Sequence, residues 1–214
     1  MPEPRDRGVR GAAAERQTLV IASANPGKLR ELAELLAQLP FALVGQAALG
    51  VAAAEETGAT FAQNALLKAR HAARSTGLAA IADDSGLEVD ALGGAPGVRS
   101  ARYAGEGASD EANNAKLIAA LEGLTGSARR ARYRCALVYV DGPADPSPVC
   151  AQGVWEGLIL AAPRGARGFG YDPYFWLPEL DATAAELEPA AKNRLSHRGK
   201  ALRLLRDKLA VRPR

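Results

Sequence analysis

The first part of the chain switches between two hydrophobic periods. A short β-type apolar run at Thr18–Ala22 predicts a strand. After a polar turn, leucines recur at helical spacing until Pro40 ends the pattern, and they are Leu29, Leu32, Leu35, Leu36 and Leu39. A second helix is predicted to begin at the capping box Thr60–Gln63 and to run to about Thr76, because Gly77 then supplies a C-terminal stop.

The rest of the chain alternates strands and helices in the same way. The predicted elements are a buried strand at Ala79–Asp83, a helix opened by Ser109 that ends near Gly123, a hairpin of Ala131–Asp141 and Val149–Trp155, and a final helix at about Arg198–Val211. Thr183–Glu186 repeats the capping-box pattern. Because a hairpin lies among alternating elements, the predicted class is α/β or α+β with a mixed sheet.

Composition indicates an ordinary globular protein. The 214 residues are 48% hydrophobic and 24% charged, and no apolar run approaches the roughly 18 residues of a membrane helix. We expect residues 1–17 to be a disordered extension and residues 18–214 to form a single domain. Cys135 and Cys150 make no disulfide framework, and His71 and His197 are too few for a His-rich zinc site. These features favour a soluble, cytoplasmic protein.

Charge is distributed unevenly along the chain. From Lys192 to Arg214 there are nine Lys or Arg and one Asp, a charge of +8, whereas the remainder has 18 basic and 23 acidic residues and carries −5. Such a segment suits a polyanion, either a nucleic acid or a nucleotide. It could equally be a solvated helix face, because leucines interleave with the charges. The segment has no aromatic residue for RNA stacking, so we expect no nucleic-acid partner.

The turn between the first strand and the first helix has the composition of a phosphate site. It consists of Ser23, Ala24, Asn25, Pro26, Gly27 and Lys28. A strand–loop–helix junction presents free backbone N–H groups and the positive end of the helix dipole, and Lys28 adds a cation. The spacing is not that of a Walker A loop, and Asn-Pro-Gly is also a common ordinary turn.

Carboxylates gather around the predicted strand at Ala79–Asp83. Asp83 and Asp84 follow an apolar run, and neighbours in a strand point to opposite faces, so one of the two can face a cleft. Such a carboxylate can hold Mg²⁺ or accept a proton from water, although an Asp-Ser-Gly turn that caps itself is the simpler explanation. Upstream, Glu55 and Glu56 are also consistent with plain surface charge, and Lys68 lies two turns into the second helix.

Two later segments supply an aromatic ring and hydrogen-bond donors. In Gly168–Pro173, glycines flank Phe169 and leave a ring face open to a flat base, unless the ring is simply buried in a bulge. Lys192–Arg198 places Lys, Ser, His and Arg within seven residues, and a His-Arg pair can donate to a base or phosphate. Together the four segments predict a nucleoside triphosphate hydrolase.

Six motifs in order carry a resemblance to a known family. They are Ser23–Lys28, Glu56–Phe61 with Asn64-Ala65 and Lys68-Ala69, Asp83–Leu87, Gly93–Gly97 with Ser100–Tyr103, Gly168–Asp172, and Ser196–Gly199. Over about residues 19–209 the chain resembles the inosine/xanthosine triphosphate pyrophosphatase family. The resemblance implies a mixed α/β fold of two lobes around an elongated sheet, with the nucleotide in the cleft between them. It also implies a homodimer that uses Mg²⁺ to hydrolyse the α–β phosphate bond of ITP, dITP and XTP.

The resemblance also implies roles for individual residues. Asp84 is the expected proton acceptor and a Mg²⁺ carboxylate, and Glu56 helps to place the metal. The triphosphate is expected to contact Ser23, Ala24, Asn25, Pro26, Gly27, Lys28 and Lys68, and Ser85 lines the substrate site. The base is expected to stack on Phe169, beside Gly170 and Tyr171, with its polar edge near Asp172, Lys192, His197 and Arg198.

Two departures and two rival functions accompany this assignment. Ala24 stands where the family commonly has Gly, which matters only if that backbone needs positive φ. Gln63 stands where Glu is usual and removes one acid from the expected metal site. The rivals are a Maf-type pyrophosphatase acting on modified pyrimidine nucleotides and a non-enzymatic nucleic-acid binder that uses the basic C-terminus. The second rival leaves Glu56, Asp83 and Asp84 without a purpose.

Overall fold

A single mixed sheet organises the chain. The computed structural model describes residues 16–37 and 39–212. The strands are β1 Gln17–Ala22, β2 Phe41–Gly45, β3 Ala79–Val89, β4 Arg130–Val140, β5 Val149–Ile159, β6 Phe175–Leu177 and β7 Ala182–Thr183. The helices are α1 Pro26–Leu36, α2 Phe61–Thr76, α3 Asp110–Ala120, α4 Pro189–Leu195 and α5 His197–Ala210. The strand order is β2-β1-β3-β4-β5-β6-β7.

The sheet has a parallel end and an antiparallel end. β1 pairs in parallel with both β2 and β3, whereas β3 through β7 pair antiparallel. Tight turns can join antiparallel strands, but parallel strands need a crossover, and α1 and α2 supply the crossovers here. The predicted mixed α/β class is confirmed.

Helices cover both faces of the sheet, because side chains alternate along each strand. On one face, Leu32 of α1 and Leu205 of α5 pack with Ile81 and Leu137. On the other face, buried alanines of α2 pack on Val20, Ala80 and Val138, and they are Ala65, Ala69, Ala72 and Ala73. A third cluster joins α3 to the far ends of β3, β4 and β5 and contains Leu87, Leu117, Tyr133, Trp155 and Phe175.

The boundaries of α2 and α5 follow from their caps. At Thr60 the hydroxyl accepts a hydrogen bond from the Gln63 backbone N–H, while the Gln63 side chain accepts from Thr60 in return. The predicted capping box is therefore confirmed, and Gly77 ends the helix at φ +74°. Ser196 caps α5 through the backbone N–H of Gly199, so this helix begins at His197 rather than Arg198.

Several predicted boundaries are wrong. β3 does not stop at Asp83 but runs to Val89, because every residue of this stretch pairs with β4. Thr183–Glu186 begins no helix: Glu186 accepts the Thr183 backbone N–H at 2.7 Å, but it closes a turn after β7. β2 was not predicted, and α1 already ends at Leu36.

The expected N-terminal extension falls mainly outside the described residues, which begin at 16, and β1 starts at Gln17. No helix in the described part of the chain is long and apolar enough to cross a membrane.

Candidate active site

The loop after β1 lies against Asp83 and Phe169. Asn25 caps α1 by accepting the Lys28 backbone N–H at 3.0 Å, and Ser23 Oγ accepts the N–H of Asn25 at 3.2 Å. The Lys28 ammonium lies 2.8 Å from the Asp83 carboxylate. A Cβ on Gly27 would lie 2.5 Å from a carbon of the Phe169 ring, so this close approach requires glycine.

The backbone conformation at Ala24 shows whether this position needs the glycine that is common in the family. Ala24 is exposed, and among the described residues Asp181 alone has positive φ without being glycine. The backbone at Ala24 therefore does not need glycine.

Asp83 and Asp84 point to opposite faces of β3. Asp83 is fully buried and contacts Lys28, Arg198 Nε at 3.0 Å, and the Cys135 thiol, which donates at 3.0 Å. Burial alone would raise the pKa of the Asp83 carboxyl, but Arg198 and Lys28 outweigh it and hold the pKa well below its usual range. Asp83 is thus a buried, ionised anchor for two cations rather than a turn residue.

Asp84 faces α2 and belongs to a second charged group. Lys68 Nζ lies 2.7 Å from Asp84 Oδ1 and 3.0 Å from Glu56 Oε1, and Arg102 donates to the other Glu56 oxygen at 2.9 Å. Asn64, which is fully buried, donates to Asp84 Oδ2 at 3.3 Å. This second group contains two carboxylates joined through one ammonium.

The two carboxylates of this second group differ in proton affinity. Burial raises the pKa of the Asp84 carboxyl above its ordinary value, although Lys68 and Lys28 oppose the shift. For Glu56, Lys68 and Arg102 outweigh the effect of burial and lower the pKa. The site thus makes Asp84 a stronger base than an ordinary aspartate and Glu56 a weaker base than an ordinary glutamate.

The donor set of this second group suits Mg²⁺ completed by a ligand. In the described residues, no three His, Cys, Asp or Glu side chains are grouped closely enough to hold a metal. Mg²⁺ in nucleotide sites, however, is commonly bound by one or two carboxylates together with substrate phosphates. Glu56 and Asp84, each within 3.0 Å of the same Lys68 nitrogen, fit that pattern.

Gln63, which replaces an acid usual in the family, does not belong to that group. Its side chain is spent on the cap of α2, where its Oε1 accepts the N–H of Ala59 at 2.8 Å as well as that of Thr60.

Phe169 stands beside two cations on the other side of β3. The ring centroid is 5.1 Å from Lys192 Nζ and 6.0 Å from the Arg198 guanidinium carbon. Lys192 binds both Asp172 and Glu31 at 2.6 Å. Burial raises the pKa of the Asp172 carboxyl although Lys192 opposes the shift.

Arg198 is almost completely buried, and each of its three nitrogens donates to at least one neighbouring side chain. Besides Asp83, it donates to Glu31 and, at 2.9 Å, to Ser85 Oγ. Glu31 thereby joins Arg198 to Lys192. Burial would raise the pKa of the Glu31 carboxyl, but Arg198 and Lys192 outweigh it and lower the pKa.

His197, the residue before Arg198, has a neutral and almost fully buried ring. Its ring stacks on Tyr133 at 4.7 Å between centroids. Burial and the charge of Arg198 hold its pKa well below the usual value, so the imidazole is neutral at pH 7. Its Nδ1 is buried and has no hydrogen-bond partner in the described part of the chain.

A cavity of about 230 Å³ brings most of the predicted residues together. The predicted residues that line it are Asn25, Lys28, Ser85, Phe169, Gly170, Tyr171, Asp172, Lys192, His197 and Arg198. Glu56, Lys68 and Asp84 do not line it, because they lie on the α2 face of the sheet. Lys28 connects the two groups, since its charge lowers the pKa of Asp83 and also opposes the rise at Asp84. Ser23 and Ala24 in the turn, with Pro26 and Gly27 at the start of α1, lie beside the cavity without lining it.

A second cavity, of about 590 Å³, contains none of the predicted site residues. It lies at the start of α2 and is lined in part by Phe61, Glu88 and Arg134.

Sequence reasoning missed Glu31, Asn64 as a partner of Asp84, and Arg102. Glu31 follows Lys28 by three residues and Asn64 precedes Lys68 by four, so each shares a helix face with a predicted residue. That spacing could have revealed both of them. Arg102 approaches Glu56 across 46 residues, and no local signal predicts the contact.

Acidity should weaken the fold through Asp83 and Glu31. A carboxyl with a lowered folded-state pKa contributes stability above its unfolded pKa of about 4, and that stability is lost as the pH falls through the folded value. Asp84 and Asp172 have raised pKa values, so their effect on stability is opposite. Each destabilises the folded protein when it is ionised, and this cost is removed as the pH falls through its folded-state pKa. We expect the free energy of unfolding, measured in urea, to decline below about pH 4. Glu31→Gln should make the decline shallower, and an identical decline would contradict this assignment.

Comparisons with known proteins agree with the geometry. The sequence model of the Ham1 family matches residues 19–208. The chain is 57% identical over 194 residues to the dITP/XTP pyrophosphatase of Thioalkalivibrio sulfidiphilus, which covers 91% of this chain and 99% of that protein. It is 57% identical over 193 residues to the dITP/XTP pyrophosphatase of Yersinia pseudotuberculosis, covering 90% and 98%.

Solved structures similar to this chain also belong to Ham1 proteins. A HAM1 protein from Coxiella burnetii superposes with a TM-score of 0.82 at 48% identity, over 91% of this chain and 98% of that one. The Staphylococcus aureus Ham1 protein gives a TM-score of 0.79 at 42% identity, over the same shares. The resemblance inferred from the six motifs is confirmed, and the chain belongs to the Ham1 family.

Proposed function

We propose that this protein hydrolyses the deaminated purine nucleotides ITP, dITP and XTP at the α–β phosphate bond, yielding nucleoside monophosphate and pyrophosphate. Such a reaction removes these nucleotides from the pool that polymerases use. One observation carries the proposal. A cavity beside Phe169 lies on one face of β3, and the charged group Glu56–Lys68–Asp84 lies on its other face. The names of the relatives, dITP/XTP pyrophosphatase, support the substrate class.

The cavity on the Phe169 side binds the base. The flat ring of Phe169 offers a stacking face, and base–aromatic stacking contributes about 1–3 kcal/mol. Lys192 and Arg198 carry only donors, and inosine and xanthosine present an oxygen acceptor at the purine 6-position. Adenosine presents an amino donor there, so ATP would leave these donors facing another donor.

Lys28 and Lys68 bind the triphosphate, together with the loop Ser23–Gly27. Both lysines are already paired with carboxylates, so the ligand-free site supplies little net positive charge for a polyanion. We therefore include Mg²⁺ in the proposal, held by Glu56 and Asp84. When bound, Mg²⁺ neutralises charge on the phosphate oxygens.

Asp84 accepts the proton of the attacking water. Its raised pKa makes it a stronger base than an ordinary aspartate. Lys68 and Asn64 fix both oxygens of its carboxylate, so the base is oriented before substrate arrives. The lysine charges stabilise the departing pyrophosphate, and positioning with electrostatics supplies most of the rate. We also propose that the protein forms a homodimer, that it is located in the cytoplasm and that it has no nucleic-acid partner.

Substrate profiling tests this function. ITP, XTP, GTP, ATP and dUTP are incubated with the protein at alkaline pH, with Mg²⁺ or with EDTA, and pyrophosphate and orthophosphate are measured separately. We expect pyrophosphate from ITP and XTP, little from ATP, and none in EDTA. Turnover confined to pyrimidine nucleotides would favour the Maf-type alternative. Orthophosphate as the product would contradict cleavage at the α–β bond.

A further inference from the structure

The loop that carries Phe169 is attached to helix α3 through the backbone of one residue. Asp110 Oδ2, at the first position of α3, accepts the Gly170 N–H at 2.6 Å. One turn along the same helix, Asn114 Nδ2 donates to the Gly170 carbonyl at 2.9 Å. Both polar groups of Gly170 are therefore bound by side chains of α3.

The loop is otherwise shaped by its two glycines and by further hydrogen bonds. Gly168 and Gly170 on either side of Phe169 have φ of +79° and +62°, a conformation that other residues rarely adopt. These two glycines contribute no side-chain packing of their own, so hydrogen bonds to the loop matter more than they would for larger residues. Within the loop, the Phe169 N–H donates to Asp172 at 2.9 Å, and the Tyr171 hydroxyl donates to the Ser100 carbonyl at 2.8 Å.

The Phe169 ring has little room to move. One side of the ring already touches Gly27, where even a Cβ would lie at 2.5 Å, and two cations lie within about 6 Å of its centroid. A shift of the loop would change the distance from the ring to Lys192 and to Arg198 together. Orientation of this kind is what positioning residues supply.

We propose that Asp110 and Asn114 are positioning residues that hold Phe169 in place for stacking on the base, and so set the affinity of the site for its purine. The inference rests on the proposed function. Asp110 lines the cavity, but its Oδ2 is spent on the Gly170 N–H. Asn114 is largely buried, so its bond to Gly170 is partly shielded from water.

Asp110→Ala tests the proposal, with Glu111→Ala as a matched control. Both variants remove one acid from the first turn of α3, and they share any loss of the helix-dipole interaction. We expect Asp110→Ala to raise the Kd for inosine monophosphate and the KM for ITP about tenfold, within the range of partly lost stacking. The kcat should change much less. The inhibition constant of inorganic pyrophosphate should be unchanged, because that probe has no base.

Conservative variants separate positioning from folding. Asp110→Asn retains an oxygen that can accept the Gly170 N–H and should restore near-normal affinity for inosine monophosphate. Asn114→Asp replaces the donor with an acceptor that faces the Gly170 carbonyl, and it should weaken inosine monophosphate binding as Asp110→Ala does. Should Asn114→Asp fail to fold, the comparison of the Asp110 and Glu111 variants still decides.

Two results would overturn the inference. One is an Asp110→Ala variant that binds inosine monophosphate as Glu111→Ala does. The other is an equal loss of affinity for inosine monophosphate and for pyrophosphate, which would mean general damage to the site. If the unaltered protein releases no pyrophosphate from ITP, the proposed function itself fails. The two failures are therefore distinguishable.

Discussion

The Asp84→Asn variant should hydrolyse ITP at least about 100-fold more slowly than the unaltered protein, the lower end of what a positioned general base contributes. Asparagine keeps the size of the side chain and an oxygen for Lys68, but it can neither take a proton from water nor offer a negative charge to a metal. Steady-state pyrophosphate release at saturating ITP and Mg²⁺ measures the loss as a fall in kcat.

Glu55→Gln is the matched control for this experiment. Glu55 is an exposed acid one residue before Glu56 and makes none of the ion pairs found in the described residues. Its amide variant should retain the rate of the unaltered protein. Thermal unfolding and inosine monophosphate binding should be close to normal in Asp84→Asn, which would locate the defect in the chemical step. A near-normal kcat in Asp84→Asn would remove Asp84 from the role of base.

Elements with a regular hydrophobic period or a recognisable cap could be predicted from the local sequence. A local cap or hydrophobic period was enough to predict three elements. They are α2 with its capping box at Thr60, α1 with its leucine spacing, and the hairpin with its apolar strands. β2 at Phe41–Gly45 gives no such signal, because a five-residue apolar run directly after a helix is ambiguous.

Polar residues inside β3 misled the prediction of its end. Asp83, Asp84 and Ser85 interrupt an apolar pattern, and on local grounds a strand should stop there. In the fold, Lys28 and Arg198 on one face and Lys68 on the other compensate the two carboxylates. The strand therefore continues because of partners from α1, α2 and α5, which no local window contains.

The site was predictable as a set of residue types but not as an arrangement. Ten predicted residues line one cavity, yet the sequence did not indicate that Glu56, Lys68 and Asp84 lie on the opposite face of β3. Glu31 was missed because a single acid on an amphipathic helix is most often surface charge. Its burial depends on Lys192 and Arg198, more than 160 residues away in the chain.

The burial of Arg198 changes what its removal should do. On sequence grounds Arg198 is a donor for the base, and Arg198→Ala should cost selectivity. In the structure its loss also leaves Asp83 buried without a main partner and deprives Glu31 of one cation. Breaking a buried ion pair by removing one partner typically costs 3–5 kcal/mol. We expect Arg198→Ala to lower the free energy of unfolding by about that amount, as measured by urea denaturation.

Arg206→Ala on the same helix is the control, because the one ion pair of Arg206 within residues 16–37 and 39–212 is an exposed pair with Asp207. This exposed pair contributes little, so the variant should unfold at nearly the urea midpoint of the unaltered protein. Equal midpoints for the two variants would mean that Arg198 does not stabilise the buried network. Arg198→Lys keeps the charge but not the fork of donors that reaches Asp83, Glu31 and Ser85 together. If Arg198 also contacts the base, this folded variant should show a smaller ratio of ITP to ATP turnover, which separates recognition from stability.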